Sequence, residues 1–360
     1  MERMRAAIVG TGGIAGAHAR ALRAYPDQVD LVAATDIDPA RLEKFGAEWS
    51  IDGRYQSLAE MLAQEKLDLV HLCTPPGAHA PAAIAALEAG VTVVCEKPPC
   101  VSLAEFDRIA EAEQASKGHF VGIFQHRFGT AAEGASRLID EQRLGKPLVA
   151  ICHTLWYRDD AYYDVEWRGR WDTEGGGPTM GHGIHQIDLL GHLLGEWTEL
   201  SAHAPRLARH VDTEDVSFAY MTFANGAVAS IVNSVLSPRQ ESCLRFDFER
   251  GTLEVSHLYG HKLDSWTYTP VAGATNDETA PQPWPPEGPD VPSGHQAELG
   301  EILASLQAGK RPATTGAGLR RTVEIVTAIY ASSFTGQRVR RDDLTPDNPF
   351  YHQLDGRAHS

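Results

Sequence analysis

The sequence predicts an α/β protein: a doubly wound parallel sheet, followed by an α+β C-terminal domain built on a large, mostly antiparallel open sheet. Three observations carry this. Short apolar runs at 6–9, 31–35, 67–73, 91–95 and 120–124 alternate with helix-like stretches, the signature of strand–helix–strand units. The first run enters a glycine loop, Gly10-Thr11-Gly12-Gly13-Ile14-Ala15-Gly16. Later strand-like runs at 148–157, 216–223, 227–236, 244–248, 252–256 and 262–269 follow one another with turns such as Asn225-Gly226 between some of them, so neighbours pair as hairpins. The chain divides into a first domain over 1–125, a second over 126–341 and a tail over 342–360.

Each element has a local cause. The order strand, glycine loop, helix gives the loop a nucleotide-binding meaning. Gly10 permits the tight turn, Gly12 lets a pyrophosphate approach the backbone, Gly13 and Ile14 complete the loop, and Ala15 or Gly16 packs the helix on the strand with its N-terminus toward the anion. The second strand ends in Asp36, about twenty residues further on, where a carboxylate accepts hydrogen bonds from the adenosine ribose. With Asp38 also acidic and no arginine immediately after Asp36, a 2′-phosphate is repelled and NAD is favoured over NADP. Asp38-Pro39 reads as an N-cap and first-turn pair, and Ser57 and Ser102 each open a helix with a glutamate three residues on. The run 91–95 drives straight into Glu96-Lys97-Pro98, which puts charged groups at the end of a buried strand, where open α/β sheets bind ligands.

Composition narrows the class. The chain has 360 residues, 42% of them hydrophobic, and a formal net charge of -16; without a long basic run, nucleic acid is a poor partner. The five cysteines lack metal-ligand spacing and read as reduced thiols. No apolar stretch approaches the ~18 residues of a membrane span, and an apolar strand follows Met1 to Arg5 almost at once. A cytoplasmic protein with no membrane partner is expected.

Cys73-Thr74-Pro75-Pro76 with His79, then Glu96-Lys97-Pro98, resembles the signature of the Gfo/Idh/MocA oxidoreductases, the glucose-fructose oxidoreductase and inositol dehydrogenase family. The resemblance implies a Rossmann NAD-binding domain and a second domain for substrate and oligomerisation, in a homodimer or homotetramer. It implies that Lys97 touches both the nicotinamide ribose and the reacting hydroxyl, while Glu96, Thr74 and Pro75, with His79 nearby, line the cofactor side.

In the second half, Gln125-His126-Arg127-Phe128 resembles the family's crossover, with Arg127 open to a substrate contact or an ion pair. Residues 179–194 read as a helix carrying Gly181, His182, His185 and Asp188 on one side. His182 and His185 lack the partners of a recognisable zinc pattern, so no metal is expected. The resemblance places the catalytic histidine at His185, whose imidazole can take a hydroxyl proton. The family's aspartate four residues earlier is Gly181 here, so either His182 or a group from elsewhere substitutes for it, or the space admits a substrate group or water. Tyr157, Trp167, Arg168, Arg170 and Trp171, with His182, suggest a polyhydroxylated or anionic small-molecule carbohydrate, since aromatic faces stack on sugars and guanidinium forks hold anions; core tryptophans and arginines paired with nearby acids are the alternative.

Two readings follow from the resemblance. One is an NAD-dependent dehydrogenase of a sugar, sugar derivative or cyclitol. The other is a redox-neutral NAD-dependent glycosidase, acting by oxidation, elimination, hydration and reduction on an acidic or sulfonated glycoside. Residues 270–294 read as a long surface loop, and helices are expected at 296–307 and 316–334.

Overall fold

The computed structural model describes residues 3–272 and 284–357. The chain folds as two compact units, Met1–Ile123 with Glu298–Leu319, and Phe124–Ala297 with Arg320–Ser360.

The first unit contains β1 (Met4–Val9), α1 (Ala15–Arg23), β2 (Val29–Thr35), α2 (Pro39–Trp49), β3 (Gly53–Tyr55), α3 (Leu58–Gln64), β4 (Leu69–Leu72), α4 (His79–Glu88), β5 (Thr92–Cys95), α5 (Leu103–Ala115) and β6 (Phe120–Gly122). Its six strands are parallel in the order β3-β2-β1-β4-β5-β6, the doubly wound order whose switch point lies beside β1. Caps fall where expected. Asp38 accepts the Ala40 and Arg41 amides, and Ser57 and Ser102 accept those of Glu60 and Glu105. Register places Val9 beside Leu72 and Leu72 beside Cys95. The loops after β1, β4 and β5 therefore leave the same edge of the sheet.

The second unit begins with α6 (Thr130–Asp140) and β7 (Pro147–Tyr157), then a π-helical turn (Thr179–Gly183) that runs into α7 (Ile184–Leu194). Strands β8 (Trp197–His203), β9 (Val216–Phe223), β10 (Val228–Ser234), β11 (Leu236–Phe248), β12 (Gly251–Ser256) and β13 (Trp266–Pro270) follow. After α8 (His295–Gln307) and α9 (Gly316–Thr335) come β14 (Val339–Arg340) and α10 (Pro349–His352). The eight-stranded sheet runs β13-β12-β11-β7-β10-β9-β8-β14, antiparallel except between β7 and β10. Inward residues of β7 (Ala150, Cys152, Thr154 and Trp156) are buried, and α7 packs across β7 and β11.

Three expectations change. The domain boundary at 125 moves little, but residues 298–319 return to the first unit. There Leu299, Ile302 and Leu303, one helical stripe, join the apolar cluster of Ala6, Ile8 and Ala19, each burial stabilising by about 1.5–3 kcal/mol. Residues 342–357 form no separate tail: Phe350, Tyr351 and Leu354 are buried. The β9–β10 connection is longer than the two-residue hairpin turn expected at Asn225-Gly226: residues 224–227 separate the strands, Gly226 takes a positive φ (88°) and the Asn225 side chain accepts the Ala227 amide. Within the expected surface loop, residues 273–283 lie outside the described residues.

Candidate active site

In the first unit, the glycine loop is shaped for a diphosphate. Gly10 has φ 86°, and a Cβ there would lie 3.0 Å from the Cys73 carbonyl and the Thr74 side chain, so only glycine permits this close approach of the two loops. A Cβ on Gly12 or Gly13 would meet nothing within 4 Å, which leaves an open cradle at the start of α1, with Ile14 39% exposed beside it. Asp36 is buried at the end of β2, and one oxygen accepts the Thr11 amide at 2.7 Å and its hydroxyl at 2.8 Å. Burial raises the carboxyl's pKa, but the amides of Asp38 and Thr11, the Thr11 hydroxyl and the Arg41 cation outweigh it and hold it below the usual range. It is thus anionic near neutral pH. Arg41, at 3.2 Å from Asp36, is a cation five residues further on, beyond the stretch that immediately follows Asp36.

Further along the same edge, Glu96 follows β5. Its carboxylate takes the His18 Nε2 at 2.9 Å and the Lys97 amide at 3.1 Å, and His18 Nδ1 lies 2.8 Å from His71 Nδ1. His18, His71 and Glu96 are all buried. This chain of polar groups behind Lys97 was not foreseen, because α1, β4 and β5 are joined only by the fold. Lys97 is partly exposed, as are Thr74 and Pro75 to different degrees. His79 behaves differently. It is fully buried, with its two ring nitrogens 2.8 Å from the Thr74 and Pro98 carbonyls. Burial pushes its pKa down, against the Pro98 and Thr74 carbonyls and the Glu96 charge, which raise it, and the ring sits between the two loops that carry those carbonyls.

In the second unit, His182 lies in the π-helical turn and His185 in the first turn of α7. His185 is 2% exposed, and its Nε2 lies 2.7 Å from the hydroxyl of Tyr259, a residue 40% exposed. Around this pair stand the rings of His126, 5.1 Å from His185, and His261, 4.4 Å from His126. Burial drives the His261 pKa down to about 4, so this ring is neutral near pH 7. His182 Nε2 lies 3.3 Å from the Tyr162 hydroxyl, with Trp156 edge-on at 5.0 Å. Tyr259 also packs 5.8 Å from Trp156, so both histidines belong to one aromatic pocket.

The arginines and aromatic residues divide. Arg168 stacks 3.7 Å over Tyr162 and donates to its carbonyl, and Trp167 lies beneath the same guanidinium at 5.2 Å. Arg170 is exposed. Trp171 leaves the cluster to pack on Tyr330 and Phe334 of α9. Tyr157 lies on the other face of the sheet from Trp156, because successive strand residues alternate sides, and Trp156 takes the place expected for it. Arg127 is buried and grips Asp188 through Nε at 2.7 Å and through its Nη2, while Thr322 also donates to Asp188. The ion-pair alternative therefore describes Arg127 better than a substrate contact. Beside Gly181, where a Cβ would stand 3.4 Å from its Oε1, lies Glu174, a buried carboxylate whose other oxygen accepts the Gly169 amide at 2.6 Å. Neither Glu174 nor Tyr259 carries a local sequence signal. Both are found only through the elements that they meet.

Residues 4–123 match the model "Oxidoreductase family, NAD-binding Rossmann fold" and residues 133–254 the model "GFO/IDH/MocA C-terminal domain". A D-apiose dehydrogenase of Paraburkholderia graminis is 27% identical, over 97% of this chain and 92% of the relative. An inositol 2-dehydrogenase of Salmonella paratyphi B is 28% identical, over 58% of this chain and 60% of its own. The crystal structure of the WlbA dehydrogenase from Bordetella pertussis in complex with NADH and UDP-GlcNAcA superposes with a TM-score of 0.83 at 27% identity, covering 94% of this chain and 98% of that one.

Proposed function

Because the chain belongs to the Gfo/Idh/MocA oxidoreductases, whose first domain binds NAD, we propose that it is a dehydrogenase acting on a CH–OH group of a sugar, sugar derivative or cyclitol. The observation that carries this reading is the shared sheet edge of the first unit: Gly10, Thr74 and Lys97 follow three adjacent parallel strands. Gly10, Gly12, Gly13 and Ile14 would hold the diphosphate of NAD, Asp36 its adenosine ribose, and Thr74, Pro75 and Glu96 the nicotinamide side. Bound NAD supplies the hydride acceptor. Lys97 binds and polarises the reacting hydroxyl, and His185 receives its proton. Tyr162, Trp167, Arg168 and His182 form the wall on which the carbohydrate rests, with Arg170 as an exposed cation for an acidic group.

The named relatives are dehydrogenases, which favours net oxidation over redox-neutral glycoside cleavage. Incubation with NAD and a panel of free sugars, sugar acids, cyclitols and aryl glycosides tests this. NADH should accumulate in proportion to the substrate consumed, and Lys97→Ala should lower kcat/KM by on the order of 10²-fold or more. Aglycone release without accumulated NADH would overturn the dehydrogenase reading, and an unimpaired Lys97→Ala enzyme would remove Lys97 from the mechanism. The uncovered face of the eight-stranded sheet is assigned to a second copy of the chain.

A further inference from the structure

We propose that Tyr259 is a catalytic residue of this site, the group that meets the substrate hydroxyl and passes its proton to His185. The inference rests on the dehydrogenase reading for its chemistry, but its geometry stands alone. His185 is 2% exposed and Tyr259 40%, so of the two residues the tyrosine is the one that reaches the surface of the pocket. The 2.7 Å separation between the Tyr259 oxygen and His185 Nε2 lies within the range for direct proton transfer. The surroundings hold both rings in place: His126 lies 5.3 Å from Tyr259 and 5.1 Å from His185, and Trp156 closes the other side of Tyr259 at 5.8 Å. Of the pair, Tyr259 is therefore the more accessible residue to a carbohydrate resting on the pocket that Trp156 shares with His182.

The balance is simple. As the substrate carbon gives up its hydride to the oxidised cofactor, the hydroxyl proton moves to the Tyr259 oxygen, and the Tyr259 proton moves to His185 Nε2. The carbonyl forms, Tyr259 regains its starting state, and imidazolium remains until solvent takes the proton. A phenol alone, with an unperturbed pKa near ~10, is a poor base at neutral pH. Backed by imidazole, it becomes a relay that hands the proton on to the histidine. The same arrangement also supplies the proton path that Gly181 leaves without a carboxylate of its own.

Tyr259→Phe keeps the ring and its packing and removes only the hydroxyl. The variant should retain the wild-type melting temperature and NAD affinity, lose on the order of 10²-fold or more in kcat/KM, and lose the acidic limb of the pH profile that His185 provides. A Tyr259→Phe enzyme within a few-fold of wild type, with that limb intact, would overturn the proposal. A second measurement needs no substrate: ¹⁵N NMR of the His185 ring. The relay requires Tyr259 to donate to Nε2, which places the ring proton on Nδ1 in the wild type, and removal of the hydroxyl should shift the tautomer balance toward Nε2–H. An unchanged tautomer would refute the dyad. Should no carbohydrate yield NADH with the wild-type enzyme, the functional reading fails while the NMR comparison still decides whether the dyad exists.

Discussion

His261 makes the stability of the second unit depend on pH. Burial lowers its pKa from the ordinary histidine value of ~6.5 to about 4. Between those values the unfolded chain binds a proton that the folded chain does not, so stability is complete above ~6.5, falls as pH drops toward ~4 and changes no further from this group below that. The span corresponds to a loss on the order of 3 kcal/mol. Urea denaturation of the wild type and His261→Gln at several pH values should show a shallower loss between pH ~6.5 and ~4 in the variant. Parallel curves would show that His261 carries none of the effect. His192, also lowered to about 4 by burial, keeps part of the slope in both proteins. At this scale the sequence was uneven. Asp36 and Lys97 were legible because each ends a strand, a position that local pattern reveals. Tyr259 and Glu174 were not, because each acquires its role from residues distant along the chain.

The helical segment that presents the two histidines is specified by glycines with unlike tasks. Gly177 donates its amide to the Glu214 carboxylate at 2.9 Å, and a Cβ there would overlap the Glu214 carbonyl. Burial raises the Glu214 pKa, against the hydrogen bonds it accepts from Thr179, Gly177 and Tyr330, so the group is held in place with little room to relax. Gly181, by contrast, would place a Cβ 3.4 Å from one oxygen of Glu174 and near nothing else. Gly177→Ala should therefore cost about 3 kcal/mol, near the upper end of ordinary overpacking, and Gly181→Ala less than about 1 kcal/mol. Chemical denaturation measures both, and equal costs would contradict this account of the segment. The helix over 179–194 was legible from its periodicity. Its first turn being π-helical was not, since that depends on the anchoring of Thr179 to Glu214 and Ser217.

For the molecule as a whole, the eight-stranded sheet has one face under α7 and another that carries Val149, Phe218 and Tyr220 at 44%, 50% and 56% exposure. These side chains come from β7 and β9, with the outward Val228 and Val232 of β10 between them, and contiguous apolar surface of this kind marks an association site. Light scattering should show a dimer or tetramer for the wild type. A Phe218→Glu, Tyr220→Glu double variant should be monomeric with its NAD affinity retained. A wild-type monomer at micromolar concentration would remove the assignment.

By itself the sequence determined the order of strands and helices, the glycine loop, the acidic end of β2 and the lysine after β5. Each of these depends on side-chain periodicity or backbone stereochemistry within a few residues, which the chain states locally. The tertiary structure decided which groups meet: His18 with Glu96, Arg127 with Asp188, Tyr259 with His185, and α8 with the first unit's core. It also sent Tyr157 and Trp171 away from the pocket. Those outcomes follow from strand register and from burial that must satisfy charges and fill volume between distant segments, and no local pattern encodes either.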